Sequence, residues 1–89
     1  MTLEELIDQL RKRLIDALDR HDRQECSYLM TTFERILDAS YEFENRELSI
    51  MLEDLVYAGQ HGAMGVDFKA RDAIPSDETM KKVFSSQDK

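Results

Sequence analysis

The sequence predicts an all-α fold: a small three-helix core, made of an antiparallel hairpin of helices 1 and 2 plus helix 3, with a glycine-rich loop and a short C-terminal fourth helix. Two helix-start signatures predict the hairpin, since they occur at residues 2–5 and 22–25, each ahead of apolar residues at helical spacing. The composition agrees, because 42% hydrophobic and 35% charged residues are typical of a folded domain. We expect the 89 residues to form a single domain.

Helix 1 is predicted from Leu3 to about Arg20, with Thr2 and Glu5 as a capping box at its start. In such a box, a short polar side chain accepts a hydrogen bond from a backbone N–H of the first turn. The apolar positions that follow mark one face for the core: Leu3, Leu6, Ile7, Leu10, Leu14, Ala17 and Leu18. The short turn at His21 should then make the next helix an antiparallel neighbour.

Helix 2 is predicted from Arg23 to about Ser40, and Asp22 with Glu25 gives it the same kind of start. Its apolar positions are Cys26, Leu29, Met30, Phe33, Ile36 and Leu37. Helix 3 is predicted over about residues 44–58 and could also continue from helix 2 across a kink. Gly59 is the expected left-handed stop.

The pattern changes after residue 58, and this change defines the expected organisation of the chain. Glycine recurs at positions 59, 62 and 65, and residues 66–74 show no helical period. Pro75 and the polar residues after it predict a further helix start. We therefore expect a helical core over residues 1–58, an irregular loop over 59–75, a short helix over 76–84 and a frayed tail over 85–89.

Helix 3 is apolar on two sides. Its core face comprises Leu48, Met51, Leu52, Leu55, Val56 and Ala58. Phe43, Ile50 and Tyr57 are seven residues apart and form a second stripe on nearly the opposite side, so the helix must be covered twice. The candidate partner-binding surface is this stripe with the charges beside it: Phe43, Arg46, Glu47, Ile50, Glu53, Asp54 and Tyr57. The alternative is that residues 60–89 fold back over the stripe through their apolar side chains.

The negative charge is concentrated near this surface. The net charge is −7, and residues 34–54 hold seven of the nineteen acids with two bases: Glu34, Asp38, Glu42, Glu44, Glu47, Glu53 and Asp54, against Arg35 and Arg46. Such a field repels nucleic acids and membrane surfaces and attracts basic partners. We therefore expect neither direct nucleic-acid binding nor membrane binding.

Catalysis is poorly supported, and we expect no enzyme, no cofactor and no metal site. His21 and His61 stand in predicted turns, and Cys26 lies on an apolar stripe, where a buried structural thiol is the usual case. Gly65 is followed by Val66 rather than by the lysine of a phosphate-binding loop. The single thiol and the lack of a signal peptide or a long apolar stretch favour a cytoplasmic location.

Two functions remain open at this level. The leading hypothesis is a non-catalytic protein–protein interaction module (an adaptor, inhibitor or regulatory subunit) that binds a basic or apolar partner, or itself as a homodimer, through helix 3. The alternative is an acidic nucleic-acid mimic, of the kind some phages make, that occupies the basic groove of a host DNA- or RNA-binding enzyme. Binding that weakens steeply with salt would favour the mimic.

Overall fold

The fold begins with two helices that have capped N-termini, and further helices follow along most of the chain. The computed structural model describes residues 1–85. The elements are α1 (Leu3–Asp19), α2 (Arg23–Ser40), a 3-10 turn (Tyr41–Phe43), α3 (Arg46–Ala63), α4 (Asp67–Ala73) and α5 (Asp77–Ser85). The all-α class is thus confirmed. The tail expected over residues 85–89 lies outside the described residues except for Ser85, which ends α5.

The two predicted capping residues hold the starts of α1 and α2. The Thr2 hydroxyl accepts a hydrogen bond from the Glu5 N–H at 3.1 Å, and the Asp22 carboxylate accepts one from the Glu25 N–H at 3.1 Å. The side chains of Glu5 and Glu25 accept hydrogen bonds from different donors. Glu5 accepts from the Thr2 hydroxyl at 3.2 Å, whereas Glu25 accepts from Arg13 of α1 at 2.6 Å and so connects the two helices.

The core lies between α1, α2 and α3, and the largest helix–helix interface joins α2 to α3. Gly59 and Gly62 make this close approach possible. A Cβ at Gly59 would lie 2.9 Å from the Met30 Cβ, and one at Gly62 would lie 2.8 Å from the Cys26 Sγ. Both distances are too short for a side chain, so the glycines bring the backbones of α2 and α3 together.

The expectation of an irregular loop over 59–75 is wrong. Helix 3 starts at Arg46 and continues four residues past Gly59 to Ala63, and α4 forms within the remainder of the segment. Gly65, with φ +81°, is the left-handed stop. The Gly65 N–H donates to the Gly62 carbonyl at 3.1 Å and the Val66 N–H to the His61 carbonyl at 2.8 Å, which is the Schellman pattern.

The helix α5 is attached to α1 by a buried cation. Ser76 caps it by accepting from the Thr79 N–H at 3.2 Å. Arg11 of α1 is only 5% exposed; its guanidinium donates to the Pro75 carbonyl at 3.0 Å and also binds the carboxylates of Asp8 and Asp77. The apolar side of α5, formed by residues 80, 83 and 84, is buried in the same core.

Candidate protein-binding face

Ile50 and Tyr57 lie on the outer side of α3, where the sequence placed them. Their side chains are 47% and 43% exposed, and a spacing of seven residues puts them two turns apart on one side of the helix. Phe43 is 70% exposed but does not belong to α3. Its assignment to the helix 3 stripe is wrong, because it ends the 3-10 turn three residues before α3 begins.

A left-handed residue separates Phe43 from the helix. Glu44 has φ +52°, which reverses the chain direction between the 3-10 turn and α3. Asn45 then caps α3, since its side-chain oxygen accepts from the Leu48 N–H at 3.0 Å. Helices 2 and 3 are therefore separate, and Phe43 points to a different groove from Ile50.

Two open grooves flank this turn. The first has a volume of about 640 Å³ and is lined by Leu3, Phe43, Glu44, Asn45, Arg46, Glu47 and Leu48. The second has a volume of about 420 Å³ and is lined by Tyr41, Glu44, Asn45, Arg46, Ser49, Ile50 and Glu53. Residues 44–46 border both grooves, so the two form one continuous surface. We call this surface, together with Asp54 and Tyr57, the α3 face.

Tyr41 is a member of the α3 face that the sequence did not indicate. It is 54% exposed, and its hydroxyl donates to the Glu53 carboxylate at 3.3 Å, one turn beyond Ile50. Desolvation, and then the Glu53 charge, raise the pKa of the Tyr41 phenol above its ordinary value. Helical periodicity could not find it, because a 3-10 turn and a left-handed residue stand between Tyr41 and α3.

Tyr57 marks the far end of the face. Its ring lies against the His61 ring with centroids 4.0 Å apart, and the His61 Nδ1 is 3.0 Å from the Tyr57 carbonyl oxygen. A shallow groove of about 250 Å³ separates Tyr57 from Lys69 and Ala73 of α4. The residues of the predicted stripe therefore line three different depressions, Phe43 the first, Ile50 the second and Tyr57 the third.

The chain's own tail does not cover Ile50 within the described residues. Met80, Val83 and Phe84 are buried in the common core, whereas Phe68 is 68% exposed. The hypothesis that residues 60–89 fold over the stripe is thus wrong for residues 60–85. Phe43, Ile50 and Tyr57 remain partly open to solvent.

Six acids of segment 34–54 take part in no ion pair within residues 1–85. Ion pairs are concentrated elsewhere, among residues 8–25 and between that segment and residues 67–77. The acids of segment 34–54 that take part in no ion pair within residues 1–85 are Glu34, Asp38, Glu42, Glu44, Glu53 and Asp54. Partial desolvation, and then the neighbouring Glu53, raise the pKa of Asp54.

Cys26 and His21 line neither groove of this face, and His61 stacks on Tyr57 at its far end. Cys26 is 1% exposed, and burial followed by the charges of Asp22, Asp67 and Glu25 raises the pKa of its thiol, which disfavours the reactive thiolate. His21 pairs with Asp67 at 3.1 Å, and neither residue lines the grooves beside Ile50. Within residues 1–85 no three His, Cys, Asp or Glu side chains are grouped to hold a metal ion.

Comparison with known proteins adds no relative. No protein-family model matches the chain, and neither curated proteins nor solved structures gave a significant match. Among the described helices, none combines the length and the apolar character that crossing a bilayer requires.

Proposed function

We propose that the protein is a non-catalytic interaction module, an adaptor, inhibitor or regulatory subunit, that binds another protein through the α3 face. One observation carries the proposal: Ile50, Tyr41 and Phe43 are exposed on adjoining grooves, and Glu44 and Glu53, which line them, take part in no ion pair within residues 1–85. An apolar centre with a charged rim is the usual anatomy of a contact surface.

The two parts of the face have different roles in binding. The apolar side chains supply affinity, since each square ångström that they lose to a partner contributes about 25 cal/mol before the entropy of association is subtracted. The acids supply steering and selectivity, because their field draws a basic surface and repels an acidic one. Self-association through the same face is the other form that this proposal can take.

The test compares the wild-type chain with two matched variants, Ile50→Asp and Phe68→Asp. Both replace an exposed apolar side chain of an α-helix, but Phe68 lies on α4 and lines neither groove. Each protein is immobilised and used to capture proteins from the extract of its native cell, and far-UV circular dichroism verifies that each is folded. Proteins held by the wild type and by Phe68→Asp, but lost with Ile50→Asp, support the proposal. Capture that is unaffected by Ile50→Asp overturns it.

The second candidate is the nucleic-acid mimic, and the unpaired acids of α2 favour it. Glu34 and Asp38 are exposed and lie outside the two grooves, so an apolar interface does not account for them. A mimic requires that the captured protein bind DNA or RNA itself. Competition with duplex DNA separates the two functions: release of the partner by DNA, and loss of capture in the Glu34→Gln/Asp38→Asn variant, would support the mimic.

A further inference from the structure

We propose that the partner presents a cationic amphipathic helix, which lies along the α3 face with its apolar side chains in the two grooves and its lysines or arginines against the acidic rim. This inference rests on the proposed function and adds the chemistry of the partner. It commits to another protein rather than to a second copy of this chain.

The shape of the face fits a helix. Ile50 and Tyr57 are seven residues apart on α3, which corresponds to a separation of roughly 10 Å along the axis. A partner helix with apolar residues at positions i and i+7 presents the same repeat, and helix-in-groove recognition uses such anchors. The groove lined by Ile50 and the adjoining groove lined by Phe43 provide the holes into which these anchors insert.

The charge of the face selects a cationic helix. Glu44 and Glu53 line the grooves and take part in no ion pair within residues 1–85. Asp54, one turn after Ile50, also takes part in no ion pair there. Arg46 is the one base that borders both grooves. A cation placed beside Asp54 would also compensate the partial desolvation that raises its pKa.

The net charge of the chain opposes a second copy. At 3.6 residues per turn, Glu47 and Asp54 lie on one flank of Ile50, and Arg46 and Glu53 lie on the other. An antiparallel twofold pairing centred on Ile50 sets each flank against itself. Its two Arg46–Glu53 contacts would be favourable and its two Glu47–Asp54 contacts unfavourable, so the local charges give no net attraction. The repulsion between two chains of net charge −7 then opposes the pairing.

The experiment uses a displayed library of 18-residue amphipathic helices. All members carry apolar residues at heptad positions, and their remaining positions are randomised so that net charge ranges from strongly acidic to strongly basic. Selection is made on the wild-type protein and is repeated on Ile50→Asp, with Phe68→Asp as the matched control. The enriched peptides are then synthesised and titrated against wild type, Asp54→Lys and Glu78→Lys, the last being a charge reversal on α5 far from the grooves.

The expected result is enrichment of basic helices on wild type and Phe68→Asp and their loss on Ile50→Asp. Asp54→Lys should weaken the selected peptide by about tenfold or more, and Glu78→Lys should leave its affinity within about twofold. Ile50-dependent enrichment of neutral or acidic helices overturns this inference and leaves the proposed function standing. The absence of any Ile50-dependent peptide overturns this inference alone, because Ile50-dependent capture of a protein decides the proposed function separately. A dimer in sedimentation equilibrium that Ile50→Asp dissociates makes the face a self-interface and overturns the inference alone.

Discussion

Gly62 of α3 lies so close to Cys26 of α2 that a methyl group at position 62 would stand 2.8 Å from the cysteine sulfur. The contact fixes how near the two helices lie, because no side chain fits between them. A Leu18 methyl is as close on the other side, at 2.9 Å from the same point. With Gly59, where a Cβ would lie 3.0 Å from the Met30 Cα, Gly62 thus sets the spacing of the central helix pair.

The first prediction concerns this contact. Gly62→Ala should destabilise the fold by about 1–3 kcal/mol, since overpacking outweighs the gain in helix propensity. Gln60→Ala, at an exposed position of the same helix, should leave stability within about 0.5 kcal/mol. Urea unfolding followed by circular dichroism measures both. Adding Cys26→Ala to Gly62→Ala should recover part of the loss, and strictly additive effects in this double-mutant cycle would contradict the proposed clash.

The second prediction concerns Arg11. Arg11→Met should lower the free energy of unfolding by about 2–3 kcal/mol, because the buried Pro75 carbonyl loses its donor and Asp77 its partner. Lys12→Ala is the matched control. Lys12 also pairs with Asp8, at 3.0 Å, but it is exposed, so its loss should cost about 0.5 kcal/mol or less. Trypsin should also cleave Arg11→Met faster at Lys81 and Lys82, and equal cleavage of both variants would show that Arg11 does not hold α5.

The third prediction is a pH dependence. Hydrogen bonds from Arg11 and then Lys12 hold the pKa of Asp8 below its ordinary value. A carboxylate with a lowered folded-state pKa stabilises the fold above its unfolded pKa, and this contribution is lost as pH falls through the folded pKa. Asp8→Asn should therefore be less stable than wild type at pH 7 by about 1 kcal/mol, and the difference should shrink below about pH 4. A difference that is constant from pH 7 to pH 2 would contradict this assignment.

The fourth prediction is that the Asp54 carboxylate lowers the stability of the fold and strengthens the binding of a cationic partner. Its pKa is raised, so the folded state disfavours the charged carboxylate and would be relieved by a neutral group. Asp54→Asn should be more stable than wild type at pH 7 by a few tenths of a kcal/mol, about the range of exposed charges, and equal to it at low pH. The same variant should bind a cationic amphipathic peptide more weakly. Unchanged affinity would show that Asp54 does not contribute to binding the peptide.

Local chemistry made the first half of the fold predictable. The side chains of Thr2 and Asp22 carry their own hydrogen-bond acceptors, so the starts of α1 and α2 follow from residues at fixed offsets. The bounds of α2 agree with the expectation from Arg23 to Ser40. The exposure of Ile50 and Tyr57 followed from periodicity alone, because α3 is regular over both positions.

The second half depended on contacts that a sequence pattern does not show. Gly59 reads as a helix stop, but a neighbouring helix occupies the space beside it, and the left-handed position is instead Gly65. The helix α4 has a single fully buried position, Ala70, and so lacks an apolar period. The sequence pattern assigned Phe43 to helix 3 because the left-handed conformation of Glu44 cannot be predicted from its residue type.

Arg11 and the Pro75 carbonyl that it binds are 64 residues apart in the chain. During synthesis the cation leaves the ribosome well before its acceptor exists, and it must remain hydrated in the meantime. The α1–α2 hairpin can form early from its own caps, but closing the core over Arg11 has to wait for Pro75 and Asp77. A helix made more than sixty residues later therefore permits the first helix to be buried, so the core over Arg11 closes only after residue 77 has been synthesised.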